Sequence, residues 1–374
     1  MSENHSRELL ENTFGGSPPT GCLYCDKGAK LVIYVTGLCN QGCFYCPLSE
    51  EKKDRDVVFA NEARAESLDD ILMEARRMRA LGAGITGGDP LLKLERVVDV
   101  VEALKKEFGE SFHIHLYSAG LYPSEHFKRI SEAGVDEVRF HPPVDMWRYF
   151  HPALRERPEY VKRYMEMIDA AKEEGMDVGM EIPSVPGEEE GMTAIVEYAF
   201  STGLGFVNIN ELEVSHTNAE EMMKRGLYPL EDSAAVEGSR ESALEVIQKA
   251  LSSPGRGEGT TVLHFCSAYF KDAVQLRERL KRTAENVARD FEVVSEDGTL
   301  LLGIIEDIGK EEALELAERY EIPGRFYSID VQGRRMEIGA WILEEIASEI
   351  PYRAYFIERY PTADGLEVER TPLN

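Results

Sequence analysis

The tightest constraint on this chain lies in residues 22–46. That stretch carries five of its six cysteines, Cys22, Cys25, Cys39, Cys43 and Cys46, with Cys266 far downstream. Thiols crowded so closely read as metal or cluster ligands when nothing marks the chain as secreted. Residues 1–20 are polar and acidic, with Gly15–Pro19 rich in Gly, Ser and Pro, and lack the basic start and apolar segment of a secretion signal. No apolar run approaches the roughly 20 residues of a membrane helix, so a cytoplasmic chain with no membrane partner is expected. Cys39, Cys43 and Cys46 are spaced Cys-x3-Cys-x2-Cys and follow the strand-like run Leu31–Thr36 directly. Three thiolates on a short loop can hold three irons of a cubane and leave the fourth without a protein ligand. Structural zinc takes four ligands, one more than this loop supplies.

Downstream, strand-like runs alternate with helical ones. Strands are expected at 31–36, 83–86, 112–118, 137–141, 177–182 and 206–212, separated by amphipathic helical stretches. This alternation predicts a parallel sheet covered by helices, an α/β fold whose six units fit a partial (β/α)6 barrel. Ser252-Ser253-Pro254-Gly255 and Gly257 mark a break. The expected organisation is an N-terminal extension with a Cys pair (1–30), the partial barrel (31–255), a connecting strand and helix (256–290), and a small α+β domain (291–374).

The cysteine loop, with Tyr45 just before its third cysteine, resembles the radical S-adenosylmethionine (SAM) superfamily. A second motif, Ile85-Thr86-Gly87-Gly88-Asp89-Pro90, ends the second expected strand and resembles that superfamily's Gly-Gly-Glu/Asp-Pro element. Glycines allow close backbone approach, and a carboxylate complements an ammonium. Asp89 stands where Glu is commoner. The resemblance covers about residues 31–215. Together with Asn210-Glu211-Leu212-Glu213 it points to the group related to pyruvate formate-lyase activating enzymes, seen mainly in archaea and without an assigned substrate. It implies a 4Fe-4S cluster on Cys39, Cys43 and Cys46, with Tyr45 against the adenine and Gly87, Gly88, Asp89 and Pro90 holding the SAM amino group. It further implies reductive cleavage of SAM to a 5′-deoxyadenosyl radical that abstracts hydrogen, and an electron donor of ferredoxin or flavodoxin type.

Side chains alternate across each expected strand. Ile114, Leu116, Val138, Phe140, Met180, Ile182, Val207 and Ile209 share one face, against polar residues on the other. A self-filling barrel would prefer Val, Ile and Leu inside. The polar face instead predicts a ligand cavity lined by Tyr117, Ser118, Arg139, His141, Glu181, Asn208 and Asn210.

Cys22 and Cys25 form a separate Cys-x2-Cys pair, and His264 and Cys266 would point the same way on a strand. Together they supply four N/S ligands, suited to zinc or an auxiliary iron–sulfur cluster. The net charge of −27 disfavours nonspecific nucleic-acid binding over the whole surface. One helix, 275–289, carries Arg279, Arg282 and Arg289 on a face that either contacts RNA phosphates or is solvated beside Glu278 and Glu285. The expected substrate is RNA, a small biosynthetic intermediate, or a glycyl-radical site on a protein partner. The competing expectation is a non-catalytic iron–sulfur or zinc module for electron transfer or assembly. That module would account for the cysteines but leave the Gly-Gly-Asp-Pro motif and the polar sheet face unexplained.

Overall fold

In the computed structural model, residues 6–253 and 261–374 are described. The expected break at Pro254, Gly255 and Gly257, and with it the 255/256 boundary, lies outside them. The chain divides into two compact units, residues 1–74 with 80–275, and residues 75–79 with 276–374.

The first unit is built on one sheet. Its strands are β1 (Thr13–Phe14), β2 (Lys30–Tyr34), β3 (Phe59–Ala60), β4 (Ala63–Arg64), β5 (Gly82–Thr86), β6 (His113–Ser118), β7 (Glu137–Phe140), β8 (Asp177–Ser184), β9 (Phe206–Glu211) and β10 (Val262–Cys266). The order is β1-β10-β9-β8-β7-β6-β5-β2-β3-β4. β2 and β5 to β10 pair in parallel, while β1, β3 and β4 are antiparallel additions at the two edges. Helices α1 (Arg7–Glu11) and α2 (Thr20–Asp26) precede the parallel run. The crossovers carry α3 (Leu68–Arg77), α4 (Leu94–Phe108), α5 (Ser124–Ala133), α6 (Glu159–Glu173), α7 (Glu189–Thr202) and, after the short α8 (Ala219–Met223), α9 (Ser239–Ser252).

This is the expected α/β architecture of six strand–helix units, with a seventh parallel strand added. β10 lies in the stretch read as a connector, yet Val262–Cys266 pairs in register with Phe206–Asn210. Its run Val-Leu-His-Phe-Cys has the apolar alternation of the other strands, and the strand expected there proves to be part of the parallel sheet.

The N-terminal extension is part of this unit. α2 packs on β2, β5 and β6, and its Cys22 also reaches Arg139 of β7 and Asn208 of β9. One short helix can touch side chains from strands so far apart only if the sheet curves around it. Gly21 makes that approach feasible: a Cβ there would sit 2.6 Å from an Arg139 Nη and 2.7 Å from the His115 ring.

The outer sheet face is apolar, as the alternation predicts. Ile114, Leu116, Val138, Phe140, Met180, Ile182, Val207 and Ile209 are all fully buried. At about 25 cal/mol per Å2 of apolar surface, burying such a side chain is worth roughly 1.5–3 kcal/mol before chain entropy is counted.

The second unit is an antiparallel sheet with helices. Its helix α10 (Arg277–Val287) continues a π-helical turn, Phe270–Leu276, that begins in the first unit, so the single helix expected over 269–289 changes pitch midway. There follow β11 (Val293–Val294), β12 (Leu300–Glu306), α11 (Lys310–Arg319), β13 (Tyr327–Asp330), β14 (Arg335–Ile338), α12 (Ala340–Ile346), β15 (Ala354–Arg359) and β16 (Glu367–Pro372). The order is β13-β14-β12-β15-β16, with β11 beside β12. Ile305, Leu316, Met336, Ile338, Leu343 and Ile346 form one core, while Leu302, Ile304, Ile357 and Phe291 pack separately.

Two of the three arginines read as a possible RNA stripe, Arg282 and Arg289, are committed internally. Arg282 donates to the carbonyls of Met78 and Arg79 at 2.7–3.0 Å, capping the end of α3. Arg289 pairs with Glu292 and Glu337 at 2.9 and 2.5 Å.

Candidate functional site

The cluster loop leaves β2 at its C-terminal end, the end from which a parallel α/β sheet presents ligand sites. Cys39, Cys43 and Cys46 are each partly exposed. Burial pushes the Cys39 and Cys43 thiols up, at Cys39 against a hydrogen bond from the Gln41 N–H. Among the described residues, no three His, Cys, Asp or Glu side chains converge on one point that could hold a single metal ion. A cubane does not require convergence, since each thiolate binds a different iron.

Three contacts beyond the cysteines fix the loop. Asn218, 2% exposed, donates from Nδ2 to the Tyr45 carbonyl at 3.0 Å and the Glu213 carbonyl at 3.1 Å. The Arg225 guanidinium stands 4.4 Å from the Phe44 ring centroid. His141 Nδ1 lies 2.7 Å from the Glu181 carbonyl. Because a carbonyl only accepts, Nδ1 carries the proton, and Nε2 then accepts from the Tyr45 hydroxyl at 2.9 Å. Neither Asn218 nor Arg225 is legible in the sequence as a site residue. Both come from the irregular stretch after β9, where no periodicity marks a functional residue.

Gly87 and Gly88 press directly on the cluster loop. The Gly88 N–H donates to the Thr36 carbonyl at 2.7 Å and the Asp89 N–H to the Leu38 carbonyl at 2.8 Å. A Cβ on Gly87 would lie 2.4 Å from the Thr36 oxygen, and one on Gly88 2.3 Å from the Leu38 oxygen, so no other residue fits either position.

Asp89 differs from expectation. Its side chain is 1% exposed and lies off the cavity wall that Gly87, Gly88 and Pro90 help form. The carboxylate accepts from the backbone N–H groups of Gly120 at 2.6 Å and of Ala119 and Leu91 at 3.3 Å. Burial raises its pKa against these donors and the Tyr122 side chain. Asp89 is thus a strut between the loops after β5 and β6, its oxygens occupied by backbone rather than offered to an ammonium.

The cavity these elements enclose measures about 610 Å3, within the range of cofactor sites. Its wall includes all three cluster cysteines, Tyr45, Tyr117, Ser118, His141 and Asn210. Arg139, Glu181 and Asn208 lie beneath it, off the wall. Arg139 is 2% exposed and pairs with Glu137 at 2.5 Å and Glu181 at 2.8 Å. Asn208 and Asn210 donate to the two Glu181 oxygens at 3.1 and 2.9 Å. Burial opposes ionisation of Glu181, but Arg139 and Asn210 outweigh it and bring its pKa to about 2. Asn210 spends one of its two Nδ2 hydrogens on Glu181, which leaves the second N–H and Oδ1 for a ligand. Ser118 Oγ, buried and without a partner, also borders the cavity. Lys271, on the π-helical turn, completes the rim in an ion pair with Glu213.

These features fit the implied groups. The cysteine triad and the glycine cradle share one cavity of cofactor size, and the unpartnered Ser118 hydroxyl and the Asn210 amide border it. The second cysteine set lies elsewhere, deeper in the unit. Cys22, Cys25 and Cys266 pack with Leu9, Phe270 and Val274, and burial pushes the Cys22 thiol up to about 12.

Comparison with known proteins agrees with this geometry. A family model described as the radical SAM superfamily matches residues 33–199, and a domain of unknown function (DUF8061) matches residues 298–373. A Methanocaldococcus jannaschii protein, provisionally named a glycyl-radical enzyme activating enzyme, is 41% identical, covering 100% of this chain and 97% of its own. A GTP 3′,8-cyclase of Corynebacterium glutamicum is 28% identical over 52% of each chain, so this chain spans about half of that relative. Among solved structures, Streptococcus suis SuiB bound to S-adenosylmethionine aligns at 12% identity with a TM-score of 0.43, covering 64% of this chain and 50% of that one. The full-length similarity and the family match over the cluster-bearing strands show that this chain belongs to the radical SAM superfamily, whose members bind a 4Fe-4S cluster and S-adenosylmethionine.

Proposed function

We propose that this radical SAM enzyme installs a radical on a protein partner, as an activating enzyme for a glycyl-radical site. The observation that carries this reading is the 41% identity, over the whole chain, to a relative named for that activity. The internal commitment of Arg282 and Arg289 weakens the one sequence feature that favoured RNA.

Cys39, Cys43 and Cys46 would hold the cluster, and the Gly87–Gly88 backbone would approach the amino acid end of SAM. When bound, these groups supply one electron that splits a carbon–sulfur bond of SAM into methionine and a 5′-deoxyadenosyl radical. Asn218, Arg225 and His141 keep the loop in place. Asn210 and Ser118 offer polar atoms to the ligand, and the cavity walls hold water off the reacting centre. The electron comes from an outside donor of ferredoxin or flavodoxin type. A second opening of about 530 Å3, bordered by Gln41, Cys43, Phe44, Asp145, Arg148 and Glu188, gives such a donor an approach beside Cys43.

The test is anaerobic reconstitution with SAM, dithionite and a glycyl-radical protein deuterated at its glycine Cα. The expected result is 5′-deoxyadenosine carrying one deuterium and a glycyl signal in electron paramagnetic resonance. Deoxyadenosine formed without deuterium, and no protein radical across such partners, would overturn the protein-substrate reading while leaving the superfamily chemistry intact.

A further inference from the structure

The mechanism above leaves Cys22, Cys25, His264 and Cys266 unused. Cys22 and Cys25 are three residues apart on α2 and so share one face of that helix. They are 5% and 6% exposed. His264 and Cys266 are two apart on β10 and share the face of the sheet that carries Asn208 and Asn210, their register partners on β9. Asn208 Nδ2 in turn lies 3.5 Å from the Cys22 sulfur, and Cys266 packs against the group containing Cys22 and Cys25. The fold therefore brings a helix pair and a strand pair, some 240 residues apart in sequence, into one neighbourhood.

The state of His264 supplies an independent observation. Its Nδ1 lies 3.0 Å from Thr13 Oγ1, while Thr13 Oγ1 donates its only proton to the Leu9 carbonyl at 2.7 Å. Nδ1 must therefore carry the imidazole proton, and Nε2 is a bare lone pair. His264 is 1% exposed and that Nε2 has no partner. A histidine held through its other nitrogen by a hydrogen-bonded hydroxyl is oriented as metal-bound histidines are. A buried lone pair without a protein partner is open to a ligand.

Cations also stand beside two of the thiols, at Cys22 opposing the burial that keeps it protonated. The Arg139 guanidinium stands 3.9 Å from the Cys22 sulfur, and the buried Lys30 ammonium is close enough to Cys25 to interact with it electrostatically. Cations and N–H donors around sulfur stabilise metal-bound thiolates.

We propose that Cys22, Cys25, His264 and Cys266 are the four protein ligands of a second, soft-metal centre, separate from the Cys39–Cys43–Cys46 cluster. The donor set, three thiolates and one imidazole, is shared by a tetrahedral zinc ion and by an auxiliary iron–sulfur cluster. As with the triad, the four side chains are not drawn around a single point. Protonated thiols have no reason to converge before a metal displaces their protons. Such a centre would tie the N-terminal extension to the last strand of the parallel sheet.

The test uses the full-length chain with Cys39→Ala, Cys43→Ala and Cys46→Ala combined, purified and reconstituted without oxygen. Zinc, iron and sulfide are measured per chain. About one zinc, or about four irons with matching sulfide, supports the proposal and identifies the occupant; each should be lost when Cys266→Ala and His264→Ala are added. If those additions prevent folding, cobalt(II) titration of the triple variant is read instead. A thiolate-to-cobalt charge-transfer band saturating at one equivalent supports the site. A folded triple variant that takes up none of these metals overturns it.

Discussion

At the scale of single residues, the most informative side chain is the one that departs from its expected role. Asp89 has the identity and position of a SAM-ammonium ligand, but its oxygens are taken by the N–H groups of Gly120, Ala119 and Leu91. Asp89→Asn replaces one of those acceptors by a donor facing an N–H. Losing a charge-assisted buried hydrogen bond costs about 1.5–3 kcal/mol. The variant should lose thermal stability and bind SAM roughly tenfold more weakly, because the Gly87–Gly88 cradle is anchored through the same turn. Calorimetry with SAM and with its deaminated analogue separates the two roles. A strut weakens both ligands by the same factor. A direct ammonium contact would cut SAM alone and erase the preference between them, which would sink the strut assignment. Sequence could not reveal the difference, because one motif serves either a side chain aimed at the ligand or one turned back on its own backbone.

At the scale of elements, alternation made the sheet legible. Strands β2 and β5 to β9 fall within two residues of expectation, since helices cover one face and a polar interior fills the other. β14 and α2 did not announce themselves: β14 is only four residues long, and α2 is short and mixed in character. α2 is nonetheless the plug around which the sheet curves, so its packing is set by tertiary contacts that no local pattern encodes. Gly21 is where that packing is tightest. Gly21→Ala should improve helix propensity by up to about 1 kcal/mol, yet force a methyl group against Arg139, which is held by Glu137 and Glu181, and against the fully buried His115 ring. Overpacking of this kind costs about 1–3 kcal/mol, so the net sign should be destabilising. Denaturant unfolding of the full chain measures it. A midpoint equal to or above that of the parent would mean that α2 can shift and is not a plug.

At the scale of the whole molecule, charge governs how the cluster receives electrons. The chain carries a formal charge of −27, and the opening beside Cys43 presents Asp145 and Glu188 against the single cation Arg148. Such a field repels an anionic reductant over a Debye length, about 30 Å at 0.01 M salt and under 10 Å at 0.2 M. Reduction of the reconstituted cluster by dithionite, a dianion, should therefore speed up several-fold as salt rises from about 10 to 200 mM. Reduction by a cationic viologen radical should slow over the same range. Stopped-flow absorbance at fixed pH gives both rates. If the dithionite rate instead fell with salt, Arg148 would dominate the local field, and a natural donor would be expected to dock through an acidic face. If it rose, the donor must bring a basic or neutral contact surface, or tolerate slow encounter at low ionic strength. Either slope selects the kind of partner that can serve this enzyme, a choice the fold alone does not make, because the same cysteine loop works with any donor that can reach it.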